Sequence, residues 1–171
     1  MTPERAARQR PSERLAALGI ELPPVAAPVA AYVPAVRLGS TVWTSGQLPF
    51  VDGRLTATGK VGDGLRTEVD AATAQACARV AALNALAAVA EQAGGIDAVS
   101  RIVKMVVFVA SAPDFTGQPA VANGASELFG QVFGEAGAHA RSAVGVMVLP
   151  LDSPVELEVV AELVAPATTP A

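Results

Sequence analysis

The residue with the clearest chemical potential in this 171-residue chain is Arg141. It is a single cation at the start of a run, Ala143–Leu151, that is otherwise almost entirely apolar. Runs of this kind are typical of buried strands. A guanidinium at the mouth of such a strand needs an anion, and its planar fork suits a carboxylate held by two hydrogen bonds. Arg141 is therefore either an anchor for a carboxylate ligand or the cation of a structural ion pair.

Glu156 follows fifteen residues later and is the second candidate. The segments Val144–Val148 and Val155–Leu163 have the composition of strands and flank a turn at Pro150–Pro154. We therefore expect them to pair as a hairpin.

The register of this hairpin follows from its alternation. If its valines and Leu157 lie together under helices, the uncovered face carries Arg141, Ala143, Gly145, Glu156 and Glu158. Arg141 then lies opposite Glu162 and about 20 Å from Glu156 of the same chain. Arg141 and Glu156 can meet only if this face packs against a second copy. The alternative is an Arg141–Glu162 cross-strand ion pair with Glu156 solvated.

The elements that must position these residues are predicted in the order ββαβαββ. Helices are expected at Ser12–Leu18, Thr67–Ala93 and Pro119–Phe133, and further strands at Val36–Leu38, Val42–Ser45 and Ile102–Val109. Trp43 and Phe108 are expected in the core. The fold class is therefore α+β, a sandwich with two helices on one face of a mixed sheet.

The composition of the chain excludes several classes of function. Apolar residues make up 51% of the chain and charged residues 16%, which suggests that apolar surface is buried between subunits. The net charge of −4 and the absence of a basic stripe argue against nucleic-acid binding. No apolar run reaches the roughly 18 residues of a membrane span, and the first residues lack a signal-peptide core. A cytoplasmic protein with no membrane partner is expected.

The chain has one cysteine, Cys77, and one histidine, His139. They cannot build an ordinary zinc site or an internal disulfide, and no catalytic triad motif surrounds either. We expect no metal and no cofactor. Cys77 lies in an alanine-rich helical stretch and is predicted to be a buried small hydrophobe. His139, two residues before Arg141, is interpreted as a loop residue, with ligand contact as the alternative.

The chain resembles the Rid family (reactive intermediate deaminases, also called YjgF-like or L-PSP-like) over roughly residues 28–164. The resemblance depends on the joint order and spacing of short segments, which are Tyr32, Val36–Gly39, Thr44–Gln47, Asn84, Ala93–Gly95, Ile102–Val109, Asp114–Phe115, Asn123, Phe129, Ala140–Ser142 and Glu156. It implies a chorismate-mutase-like fold assembled as a homotrimer, a trimeric barrel with small-molecule clefts between subunits. Residues 1–27 would be an N-terminal extension, 28–165 the Rid-like domain and 166–171 a disordered tail.

The resemblance also implies roles for individual residues. The residue matching Arg141 clamps the substrate carboxylate, and the one matching Glu156 positions the water that attacks an imine or enamine. The cleft would be lined by Tyr32, Ser45, Gly46, Asn123 and Ala143. The residues themselves leave alternatives open: Ser45 and Gly46 can form a strand-end turn, Tyr32 can pack an extended arm, and Asn123 can bond within its helix.

Two departures from the family pattern concern substrate choice. Deaminating members often carry a cysteine where this chain has Ala143, and an acidic residue where it has Gly145. Two function classes follow. The first is an enzyme that hydrolyses imines or enamines derived from amino acids to 2-keto acids and ammonia. The second is a non-catalytic binder or sensor of small carboxylates. Arg141 is needed by both, and Glu156 only by the enzyme.

Overall fold

The computed structural model describes residues 9–25, 31–62 and 69–165. In these ranges the helices are α1 (Pro11–Ala17), α2 (Ala71–Ala93) and α3 (Gln118–Phe133). The strands are β1 (Ala35–Leu38), β2 (Thr41–Thr44), β3 (Phe50–Val51), β4 (Arg54–Leu55), β5 (Val99–Ala110), β6 (Ala140–Val146) and β7 (Val155–Leu163). The predicted order of the main helices and strands is therefore confirmed.

The main sheet is mixed and has five strands in the order β1-β2-β7-β5-β6. Only β6 runs parallel to its neighbour, β5; the other pairs are antiparallel. The core lies between this sheet and α2 and α3, which cover one of its faces. This confirms the predicted α+β sandwich. The opposite face, which carries no helix within the described ranges, is called the open face below.

Helix α2 begins where Asp70 accepts a hydrogen bond from the backbone of Thr73 at 2.7 Å. Its predicted first residue, Thr67, lies outside the described residues. The helix ends at Gly94 in the left-handed conformation, as its sequence indicates. It is the one described helix long and apolar enough to cross a bilayer, but more than half of it is buried inside the protein. Seven of its alanines are buried, and Cys77 is buried among them, as predicted for Cys77.

The predicted hairpin between β6 and β7 is wrong, because β5 lies between them. The chain leaves β5, forms α3 and returns as β6 on one edge of β5, which is a parallel crossover. A short 3₁₀ turn at Pro150–Asp152 then carries it to the other edge, where β7 runs antiparallel. Local alternation predicts both strands but cannot show that a third strand separates them.

The predicted face of β6 is also wrong. Arg141, Ala143 and Gly145 pair with Met105, Val107 and Val109, whose side chains are buried under the helices. These three residues of β6 therefore face the helices, and Val144 is 44% exposed on the open face. The physical reason is space. A Cβ on Gly145 would lie 2.9 Å from Nε2 of Gln118, so α3 approaches too closely for the larger side chains.

On β7 the predicted faces are confirmed. Four alternate residues are buried under the helices, namely Val155, Leu157, Val159 and Ala161. Glu156 and Glu158 consequently lie on the open face. Trp43 is not in the core as predicted, since it is 49% exposed on this same face, and Phe108 is only half-buried there.

The pairing of β5 with β7 is irregular at one end only. Register shifts occur between Val99 and Arg101 and between Ile102 and Lys104. From Lys104 to Val109 both neighbours of β5 pair without interruption.

Candidate functional site

The predicted site residues form two groups in one chain. Arg141 pairs with Met105 and Glu156 with Phe108, on opposite edges of β5. The two Cα atoms are therefore three residues apart along the strand and two strand spacings apart across it, roughly 14 Å. Their side chains also point to opposite faces of the sheet. An Arg141–Glu162 ion pair is excluded by the same geometry.

The first group, called the glutamate cluster, consists of Ser45, Gly46 and Glu156. It is built where the chain leaves β2: Gln47 and Leu157 exchange backbone hydrogen bonds of 2.8 and 3.0 Å. This bridge lays the backbone of Gly46 against the side chain of Glu156. A Cβ on Gly46 would overlap Oε1 of Glu156, so only glycine leaves room for the carboxylate.

The loop that follows the glutamate cluster is held from the helix layer. The side-chain amide of Asn84, on α2, donates hydrogen bonds to the carbonyls of Leu48 at 2.8 Å and Phe50 at 3.1 Å. Asn84 is thus a structural residue that fixes the chain leaving Gln47.

The carboxyl group of Glu156 has an altered acidity. Partial burial raises its pKa above the ordinary value, and the negative charge of Glu158 raises it further. No hydrogen-bond donor among the described residues contacts this carboxylate. A carboxyl group with a raised pKa is a stronger base when ionised, and it keeps its proton to a higher pH than an ordinary glutamate does.

Ser45 is hydrogen-bonded to the extended arm before β1, which also carries Tyr32. The Ser45 hydroxyl donates to the carbonyl of Val33 at 2.6 Å, and its backbone N–H donates to Pro34 at 2.9 Å. The hydroxyl therefore pins the arm that carries Tyr32, whose side chain is half exposed. Ser45 precedes Gly46, which lies against Glu156, and the Ser45 hydroxyl already donates a hydrogen bond within the chain.

The second group, called the arginine cluster, consists of Asn123, Ser126, His139 and Arg141. Nη1 of Arg141 donates to Oδ1 of Asn123 at 2.8 Å and to Oγ of Ser126 at 3.1 Å. Both acceptors lie on α3, three residues apart and hence on one face of the helix. Asn123 thus bonds Arg141 rather than its own helix, and no described carboxylate lies within ion-pair distance of Arg141.

Sequence reasoning did not include Ser126 among the site residues. Its spacing of three from Asn123 on a predicted helix is a signal that could have found it. Ala143 follows on the same face of β6 as Arg141 and packs partly against the core. Within the described part of the chain, no three histidine, cysteine or carboxylate side chains are grouped closely enough to hold a metal ion.

Cys77 lacks, among the described residues, the surroundings that activate a catalytic thiol. It is buried, its Sγ lies 3.4 Å from the hydroxyl of Thr56, and burial raises its pKa. A raised pKa keeps the thiol protonated, and the thiolate is the nucleophile.

Known proteins are similar to this chain in fold and in sequence. A profile of the family described as YjgF/chorismate mutase-like, putative endoribonuclease, matches residues 12–163. Protein TCP17 of Trypanosoma cruzi is 44% identical over 155 residues, which cover 90% of this chain and 94% of that protein.

Two solved structures extend the comparison. A putative endoribonuclease from Shewanella oneidensis MR-1 is 34% identical, with a TM-score of 0.84, over 90% of this chain and 99% of that one. Escherichia coli TdcF, solved with bound serine, is 32% identical, with a TM-score of 0.55, over 82% of this chain and 93% of that one. The profile and the relatives span nearly the whole fold described above, and the chain therefore belongs to the YjgF/chorismate-mutase-like family, the Rid family that its motifs resemble.

Proposed function

We propose that this protein hydrolyses reactive imines or enamines derived from amino acids, giving 2-keto acids and ammonia. The observation that carries the proposal is the state of Glu156: a half-buried carboxyl group with a raised pKa, held against the bare backbone of Gly46. No cation among the described residues pairs with this carboxylate, so nothing on the described chain offsets the effect of its burial.

The proposal requires two subunits for each site. Within one chain the glutamate and arginine clusters lie on opposite faces, so Glu156 of one subunit would act beside Arg141 of the next. The open face supports such an assembly, because Val36, Trp43 and Val144 are exposed there at 52, 49 and 44%. Exposed apolar patches of this kind favour association. We propose a homotrimer, as the family resemblance implies.

The chemistry follows from the two charged groups. Arg141 binds the substrate carboxylate and so orients the C=N bond. Glu156 takes a proton from water as the water oxygen bonds to the imine carbon, and returns a proton to the nitrogen. Glu156 then moves the hydroxyl proton of the resulting carbinolamine to its amino nitrogen, so that the C–N bond breaks, ammonia leaves and the keto group forms. An enamine first takes a proton on carbon to give the imine. Each turnover consumes one water and needs no cofactor or metal.

The relatives bear on the substrate class in different ways. TdcF with bound serine is a family protein that holds a small molecule with a carboxylate, which suits the role proposed for Arg141. The name endoribonuclease appears for others. The net charge of −4 weighs against RNA as a substrate here, because RNA binding depends on basic surface.

The test is imine hydrolysis by the full chain. Imines are generated from several amino acids, and the imine that escapes hydrolysis is trapped with semicarbazide or the keto acid is reduced by a coupled lactate dehydrogenase. We expect hydrolysis above background in the parent protein and its loss in Arg141→Ala. Absence of hydrolysis by the parent, with intact binding of pyruvate or 2-ketobutyrate, would instead favour the non-catalytic carboxylate binder.

The assembly is tested separately by sedimentation equilibrium at micromolar concentration. A trimer is the expected result. A monomer would remove the basis for a site shared between subunits, whatever the outcome of the activity assay.

A further inference from the structure

The hydroxyl of Ser126 lies between two side chains of the arginine cluster. Its Oγ is 3.1 Å from Nη1 of Arg141 and 3.2 Å from Nε2 of His139. The other ring nitrogen of His139, Nδ1, is 2.6 Å from the carbonyl oxygen of Gly137. The three side chains and the carbonyl therefore form one continuous chain of hydrogen bonds.

The position of the imidazole is fixed by packing as well. Its ring meets that of Phe129 edge-on, with centroids 5.4 Å apart and an interplanar angle of 78°. Gly137 packs so tightly against α3 that a Cβ there would overlap the carbonyl oxygen of Phe129. The carbonyl that meets Nδ1 is thus held by a contact that only glycine allows.

The direction of each hydrogen bond can be assigned by starting from the carbonyl of Gly137, where this series of hydrogen bonds ends. A carbonyl oxygen only accepts, so Nδ1 of His139 carries a hydrogen and donates to Gly137. In the neutral ring Nε2 is then an acceptor, and Ser126 must donate to it. With its proton directed at His139, the Ser126 hydroxyl presents a lone pair to Nη1 of Arg141.

These bonds determine which N–H groups of Arg141 remain available to a ligand. Both hydrogens of Nη1 are used, one by Asn123 and one by Ser126. No acceptor among the described residues contacts Nε or Nη2. Their hydrogens point from the same edge of the guanidinium plane and form the fork that grips both oxygens of a carboxylate.

We infer that His139 and Ser126 are positioning residues for carboxylate recognition, which lock Arg141 so that its Nε–Nη2 edge receives the ligand. The inference rests on the anchor role given to Arg141 in the proposed function. Without His139, Ser126 can turn its proton to the carbonyl of Ala122 one helical turn back, a common habit of serine in helices. Its lone pair then no longer faces Arg141.

The hydrogen-bond chain is tested directly by nuclear magnetic resonance. Because the protein has one histidine, a tag-free sample gives the signals of one imidazole in long-range ¹H–¹⁵N spectra. We expect the less common Nδ1–H tautomer at a pH where the ring is neutral. The Nε2–H tautomer would overturn the assignment. This readout does not involve turnover, so it stands apart from the fate of the deaminase proposal.

The role in recognition is tested by calorimetric titration with pyruvate and 2-ketobutyrate. Ser126→Ala and His139→Phe should each weaken binding about threefold to tenfold, the range expected for one net hydrogen bond. His139→Gln supplies an amide oxygen for Ser126 and should restore most of the affinity. Ser142→Ala is the control, since Ser142 is adjacent on β6 but faces away and bonds Lys104 at 2.9 Å.

The decisive comparison is the double variant. If His139 acts through Ser126, then His139→Phe should have no further effect once Ser126 is alanine. Additive losses, or no keto-acid binding by the parent protein, would overturn the inference. A loss in His139→Phe that His139→Gln fails to restore would also count against it, since it would point to ring packing alone.

Discussion

The arginine and glutamate clusters hold their charges in opposite ways. Arg141 is fixed by two side-chain hydrogen bonds from one helix, and the chain of bonds continues to His139. Glu156 receives no hydrogen bond from the described residues and is positioned by burial against Gly46. Hydrogen bonds keep a charge in place and favour the charged form, whereas burial without them disfavours the charged form and raises the pKa of a carboxyl group. The difference is consistent with the proposed division between a carboxylate anchor and an acid–base group.

The largest expected effect comes from Glu156→Gln. The substitution is nearly isosteric, so assembly and keto-acid binding should be retained while turnover falls about a hundredfold to ten-thousandfold, the usual contribution of general acid–base catalysis. The measurement is the coupled assay beside a calorimetric titration. An unchanged rate would mean that the glutamate cluster has no chemical role.

Gly46→Ala tests whether burial against bare backbone is what positions Glu156. The added methyl overlaps Oε1 and must displace the carboxylate, and a misplacement of about 1 Å can cost about a hundredfold in rate. The matched control is Gly130→Ala on α3, where a Cβ meets nothing within 4 Å. If both variants keep the parent rate, the close contact is incidental.

Arg141→Lys separates charge from geometry. Lysine keeps the cation but loses the planar fork and the two bonds to α3. Keto-acid affinity should fall by about 1.5–3 kcal/mol, the value of a hydrogen bond to a charged group. Calorimetry measures it directly. Unaltered affinity would assign carboxylate binding to another residue.

The smallest effect concerns stability against pH. The pKa of Glu156 is raised in the folded state, so between the unfolded value and the folded value the folded protein binds more protons. Unfolding free energy should therefore fall as pH rises through that window, and Glu156→Gln should remove this part of the fall. Urea denaturation at fixed protein concentration across the window measures it. In Glu158→Gln, which removes the neighbouring charge, the fall should be reduced but not abolished.

Patterns within single elements predicted much of this architecture. The alternation of β7 placed Glu156 on the open face, and the apolar, alanine-rich composition of residues 67–93 predicted the long helix α2. The position of β6 could not be found in the same way, because a parallel partner lies thirty-odd residues away in sequence and leaves no local signal. The expected face of β6 is wrong because the pattern puts valine inside, whereas the close approach of α3 leaves room after Arg141 only for the small residues Ala143 and Gly145.

Contacts between distant segments also limited how much of the arginine and glutamate clusters the sequence could predict. Arg141 stood out as a lone charge in an apolar run, but Asn123 and Ser126 are ordinary residues on a helix surface until the crossover brings them over β6. The fit of Glu156 on Gly46 depends on a bridge between residues more than a hundred positions apart. Contacts between distant segments were therefore the part that no local pattern revealed.

The part of β5 that pairs without interruption, from Lys104 to Val109, aligns the two strands that carry the charged groups. Arg141 and Glu156 are both aligned to it, one on each edge, between Met105 and Phe108. Irregular pairing is confined to the far end, before Lys104. Insertions or length changes at that end can therefore alter the rim of the sheet while Arg141 and Glu156 keep their places within each subunit. Proteins with this arrangement can differ at the outer surface without displacing these two side chains.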